Sequence, residues 1–237
     1  MSSVFALTVR QLTGKWRLII MTVLAAAPVL FTAMVVASPN APFVSEFEDI
    51  VLSTMLAGSI APLIIVSIAS VAFANEIEDR TLANLTLAPL SRWRIVVPKL
   101  GGAVAVAAPF VVGSAFLTSF VAFNRDPTAT LAVTLSTFAG LLMYAAIFTW
   151  LGLVTKYAIA VGLVYIVLWE GFFSGFVSGI RFLSVRHYAA ALMHGLDPRR
   201  FIDARHVGTG VAIGVAAGIL ALFLYLSIRR LRRMDVP

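Results

Sequence analysis

The chain has 237 residues, of which 60% are hydrophobic and 12% charged, with a net charge of +7 and no cysteine. Soluble domains are about half apolar and about a quarter charged, whereas here the apolar residues gather into runs of about twenty, the length that crosses a bilayer's hydrocarbon core. These features exclude a soluble globular protein, disulfides, thiol catalysis and cysteine-bound metals, and the basic residues flank the apolar runs as a topology signal rather than forming a nucleic-acid patch.

Read in chain order, the sequence predicts an all-α integral membrane protein, a single transmembrane domain over 1–237 with six spans. Residues 1–17, with Arg10, Lys15 and Arg17, suit a short helix on the membrane surface. The first span covers about 18–37. Its apolar core outruns the roughly 7–15 residues of a signal peptide, so the segment reads as retained. A loop with Pro39, Pro42, Glu46, Glu48 and Asp49 leads to the second span, about 50–74, in which Pro62 predicts a kink. The third span, about 96–123, turns through Asn-Arg-Asp-Pro-Thr at 124–128 into the fourth, about 129–154. Thr155-Lys156 is a tight connection to the fifth, about 157–176. A longer segment, 177–206, holds five Arg and three His before the sixth span, about 207–228, and a basic tail. Six spans put both termini on one side. Twelve of the 18 Lys and Arg residues then share that side, which predicts cytoplasmic termini and a multi-pass protein of the cell membrane, plasma or inner.

The stretch FANEIEDRTLANLTLAPLSRWRIVVPKL, Phe73 to Leu100, holds seven charged residues between two spans that have almost none. Asn75 followed by Glu78 suits a capping-box helix start, and Glu76 with Arg80 has the i, i+4 order of a helical ion pair. Leu82, Leu85 and Pro89 make a narrow apolar stripe. Pro89 ends this helix and Ser91 is a candidate cap for the next. Trp93 with Arg92, Arg94 and Lys99 forms an interfacial anchor, ring at the headgroups and cations toward water. One reading is a solvated loop marking the inner face. The helical pattern and the acidic residues, which no positive-inside rule requires, favour a docking element for a cytoplasmic protein.

From Glu76 to Lys99 the stretch resembles the pattern of ABC-2 type transporter permeases between their second and third spans: an acidic residue, Gly-Thr-Leu, a leucine pair, Pro-x-Ser-Arg and a later Lys. Arg80 stands where the family often has Gly, a departure that bears on where the helix starts. The resemblance implies that this segment is a coupling helix, seated in a cleft of a separate ATPase whose closure on ATP tilts the membrane helices. Glu76, Glu78, Asp79 and Arg80 would make polar contacts. Thr81, Leu82 and Leu85 would supply the packed face, and Pro89, Ser91 and Arg92 the return to the membrane. It further implies two copies of the ATPase, each with Mg-ATP, and a second permease chain, identical or related.

The chain itself lacks the Gly-x-x-x-x-Gly-Lys-Ser/Thr phosphate loop, so it is read as no enzyme, without catalytic residues or a cofactor of its own. The span centres carry no ionisable residue of the kind an ion-coupled carrier needs. Glu170, in Leu-Trp-Glu-Gly-Phe-Phe-Ser-Gly-Phe, reads either as an interfacial carboxylate at a helix break or as a polar residue lining a substrate path. His187, His194 and His206 lack the compact spacing of zinc ligands, so no metal is expected. Ser174 has no paired His at membrane depth to act as its base.

Gly171, Gly175 and Gly179 in span five, and Gly210, Gly214 and Gly218 in span six, recur at four, the spacing that lets helices approach closely in lipid. Packing within one subunit and a contact between subunits both fit; the resemblance favours span five near a dimer seam. Ile180, Leu183, Tyr188, Leu192 and Leu196 suggest an amphipathic helix in the outer interface, at the place where family members have a re-entrant hairpin. Its Arg residues suit lipid headgroups or an anionic substrate. The reading that results is a permease subunit of an ATP-driven exporter. Its alternative is a non-transporting membrane subunit that docks a cytoplasmic partner for signalling or assembly.

Overall fold

The computed structural model describes residues 2–38, 48–78, 91–173, 184–201 and 207–233, and every element among them is helical. In chain order they are α1 (Ser2–Leu12), α2 (Lys15–Ala37), α3 (Glu48–Ile60, π-helical), α4 (Ala61–Ala69) and α5 (Val71–Glu78), then α6 (Trp93–Ala122) and α7 (Pro127–Val154). The chain continues through α8 (Ala158–Val164), α9 (Tyr165–Phe173, π-helical), α10 (Val185–Leu196) and α11 (Thr209–Arg233).

Among the described residues, five helices are long and apolar enough to cross a membrane: Lys15–Ala37, Met55–Ala74, Trp93–Ala122, Pro127–Val154 and Thr209–Arg233. They coincide with five of the six predicted spans to within a few residues. The remaining span is represented by a shorter apolar helix, Ala158–Gly171. The second span varies in helical geometry along its length. It changes from π to α geometry at Ile60 and Ala61, with Pro62 in the first turn of α4. Proline has no N–H to give to the ladder, so the chain changes helix type where that bond is missing. A second break falls at Ser70, which no sequence signal marked.

Burial separates a centre from a periphery. Within Met55–Ala74, 78% of the apolar window is enclosed by the bundle, against 17% for α2 and 11% for α11. Ile64, Ile65 and Ile68 of α4 have no exposed surface and join Met21, Ala103 and Leu141 in the main core. The outward faces of α2 and α11 are themselves apolar, as bilayer-facing helices require. The 30 residues of α6 span about 45 Å, more than the hydrocarbon thickness of about 30 Å.

Two smaller cores lie at opposite ends of the bundle. At one, Phe73, Ile95, Val96, Leu153 and Leu231 clasp α5, α6, α7 and α11. At the other, Val51, Leu56, Phe123, Val133, Met193 and Phe201 gather near the turn between α6 and α7. That turn takes positive φ at Asn124 (50°) and Arg125 (67°), and Asp126 caps α7 by accepting from the Thr128 N–H at 3.0 Å. The basic tail is not a separate element: α11 runs on to Arg233 and buries Leu231.

Candidate functional site

The sequence directs attention to the end where α5 and α6 approach the charged stretch. Here α5 continues as a helix from Val71 to Glu78. The expected helix start at Asn75 is therefore corrected, because Asn75 lies inside α5. The apolar run before it already holds helical geometry, and a capping pattern matters only where a helix begins. Glu76 and Glu78 belong to this last turn. Asp79, Arg80, Thr81, Leu82, Leu85 and Pro89 lie outside the described residues.

Beyond them, Ser91 and Arg92 open α6. Arg92 is already helical (φ −57°, ψ −32°) and is the capping position, without a side-chain cap. The Ser91 carbonyl accepts from the Arg94 N–H at 2.8 Å. The expected cap at Ser91 is therefore corrected: the capping position is Arg92, one residue later. Trp93 is 45% exposed, and the Arg94 guanidinium stands 5.5 Å over its ring, as an interfacial anchor should.

Lys99 departs from that anchor. It was expected to turn its cation to water, but it is 1% exposed. Its ammonium donates to the Ala72 carbonyl of α5 and sits 4.6 Å over the Phe73 ring. Lys99 comes one and a half turns after Trp93, so it points into the bundle instead of along the membrane surface. A lone cation in Val-Val-Pro-Lys-Leu was the signal available. Nearby, α5 is pressed from its other side: a Cβ on Gly152 of α7 would lie 2.2 Å from the Ser70 carbonyl oxygen, so only glycine allows this approach.

Glu170 lies in the other half of the molecule and has no exposed surface. Tyr165, five residues earlier, shares its face because the segment is π-helical; its hydroxyl donates to Glu170 Oε1 at 3.2 Å. The Val185 N–H donates to the same oxygen at 3.0 Å, and the Ser184 hydroxyl donates to Oε2. Ser184 in turn caps α10 by accepting from the His187 N–H at 3.4 Å. In this conformation Glu170 fixes the start of α10 within packed protein. Ser184 and Tyr165, which sequence reasoning missed, complete this arrangement.

Of the segment after span five, α10 is the described helix. Six of the 12 residues of α10 are buried, among them Tyr188, and it packs on α7 and α11. Ile180 and Leu183 lie outside the described residues. The arginines of 177–206 are partly engaged: Arg200 pairs with Asp126 at 3.1 Å and covers the Phe123 ring at 4.4 Å. His187 stands edge-on to Tyr188, and His194 Nδ1 lies 2.7 Å from the Phe201 carbonyl oxygen.

The two glycine series diverge. Positions 210, 214 and 218 on α11 have no described atom within 4 Å of an added Cβ, so they do not serve packing between described helices of one subunit. Gly171 is exposed, while Gly175 and Gly179 lie outside the described residues.

Residues 10–184 match the family model described as ABC-2 family transporter protein. The chain belongs to the ABC-2 family of transporter proteins. With its apolar helices, it is a multi-pass membrane protein of the permease type, and ABC-2 permeases in general work with a partner ATPase. The matched region takes in the charged stretch and ends at Ser184, beside Glu170's partners. No curated protein matches the permease.

Proposed function

We propose that this permease is the membrane-spanning subunit of an ATP-driven exporter, coupled to a separate ATPase through residues 76–92. Two permease chains, identical or related, work with two ATPase copies, and Mg-ATP is bound by the ATPase. In this reading the bundle crosses the membrane six times, with Ala158–Gly171 as part of the fifth crossing, and both termini are cytoplasmic. It resides in the plasma or inner membrane. The substrate path runs between the permease chains.

The observation that carries the reading is the family match over a bundle of apolar helices, interrupted at one end by a mixed-charge, helix-patterned insert. Glu76, Glu78, Asp79 and Arg80 make polar contacts with the ATPase, Thr81, Leu82 and Leu85 pack into its cleft, and Pro89, Ser91 and Arg92 return the chain to the membrane. ATP binding and hydrolysis there alternate the exposure of the path. Glu170 supports the path from behind by holding α10.

Because the chain has no cysteine, Leu85→Cys carries a unique thiol for a photo-crosslinker. In native membranes it is expected to capture an ATPase with a phosphate loop, whereas Tyr225→Cys, exposed on α11, captures none. Capture of a different cytoplasmic protein at position 85 would favour a docking subunit that transports nothing.

A further inference from the structure

Lys99 is a buried cation to which the family reading assigns no task. Burial of an ammonium is tolerated when fixed dipoles and partners replace its water. Here those include the Ala72 carbonyl and the face of Phe73, both on α5. The contact joins residues 27 apart in sequence, and the chain between them is the part that holds the charged stretch.

The surroundings of the contact are closely packed. Phe73 packs with Ile95 and Val96 of α6, Leu153 of α7 and Leu231 of α11. The Ser70 carbonyl, at the joint between α4 and α5, lies against Gly152 with no room for a side chain. On α6, one turn beyond Lys99, Gly102 abuts Thr8 of α1, where a Cβ would stand 2.9 Å from the threonine methyl. So α5, which follows α4 through Ser70, is attached to α6 in part through one charged side chain and one aromatic ring.

We propose that Lys99 is a positioning residue that locks α5 to α6, so that both arms of the 79–90 stretch move as one body. This rests on the coupling role proposed for that stretch. A displacement imposed there is passed through α6 to α7 and α11, and not absorbed by bending at Ser70. A methionine of similar length would fill the space and keep the apolar packing, but it would not bind the carbonyl.

The test is amide hydrogen exchange on the full chain, native, Lys99→Met, Lys99→Arg and Phe73→Leu, both alone and with the co-purified ATPase. In the permease alone, Lys99→Met is expected to speed exchange in Val71–Glu78 by about tenfold while α10 is unchanged. Lys99→Arg restores part of the protection, and Phe73→Leu gives a smaller loss. In the complex, vanadate trapping with ATP is expected to alter exchange in both α5 and the first turns of α6 in the native chain. In Lys99→Met the ATPase still co-elutes, yet the response stays in α5. Unchanged α5 exchange in both Lys99→Met and Phe73→Leu would overturn the lock, whether or not an ATPase is present. An unaltered nucleotide response of α6 in Lys99→Met would overturn its part in transmission. Absence of an ATPase from the native preparation would instead count against the coupling role, leaving the α5 result to decide on the lock.

Discussion

Two places in the bundle bury an ionisable side chain, and they use it differently. At the Trp93 end, Lys99 links two helices laterally through a carbonyl and a ring. On α9, Glu170 gathers donors from Tyr165, Ser184 and Val185, and so fixes where α10 begins. The carboxylate is part of how the chain folds back, because its removal strands several donors at once. The ammonium is a fastening between helices that hydrophobic packing already brings together. Charges that shape a fold and charges that tie moving parts should respond differently to deletion.

The largest effect on stability is therefore expected for Glu170→Ala. Each buried donor left without its acceptor costs about 1–3 kcal/mol, so a loss of about 3 kcal/mol or more should appear as a lower unfolding midpoint in detergent, with α10 losing exchange protection first. A midpoint within a degree of native would end the claim that Glu170 organises α10. Next comes Gly152→Ala. Its Cβ would collide with the Ser70 carbonyl oxygen, and overpacking of this kind costs about 1–3 kcal/mol. Gly214→Ala is its counterpart at an open position and should leave the monomer's midpoint unchanged or slightly raised, since alanine favours helix by up to about 1 kcal/mol. If Gly214→Ala lowers the stability of the assembled complex but not of the isolated chain, α11 meets another subunit there.

Asp126→Ala sharpens the comparison with a smaller loss. It removes the cap of α7 and the half-buried pair with Arg200, together about 1 kcal/mol, and Asp126→Asn should recover most of it by keeping the cap. Equal losses for the two variants would mean that the pair with Arg200, not the cap, dominates.

Much of the fold was legible because one physical quantity decides it: an apolar run long enough for a bilayer reads the same in sequence and in structure. The edges of α2, α6, α7 and α11 fell within a few residues of expectation for that reason. The second span's division was half legible, since Pro62 announces a change of geometry and Ser70 does not. Asn75 misled because a capping pattern cannot tell whether the residues before it are already helical. Lys99 was misread because a charge in the sequence does not tell which neighbour covers it. The six predicted contact residues from Asp79 to Pro89 lie outside the described residues, so their roles stand on the sequence pattern and the family.

The central claim, that this permease is driven from outside through the charged stretch, is tested most directly by the ATPase activity that accompanies it. The tagged chain would be purified in mild detergent from its native membrane beside Leu85→Arg, and vanadate-sensitive ATP hydrolysis measured in each eluate. A co-eluting ATPase subunit and hydrolysis are expected with the native chain, and the loss of both with Leu85→Arg while the mutant chain itself remains in the membrane. Hydrolysis and subunit retained in full by Leu85→Arg, or absent from the native chain, would contradict the claim.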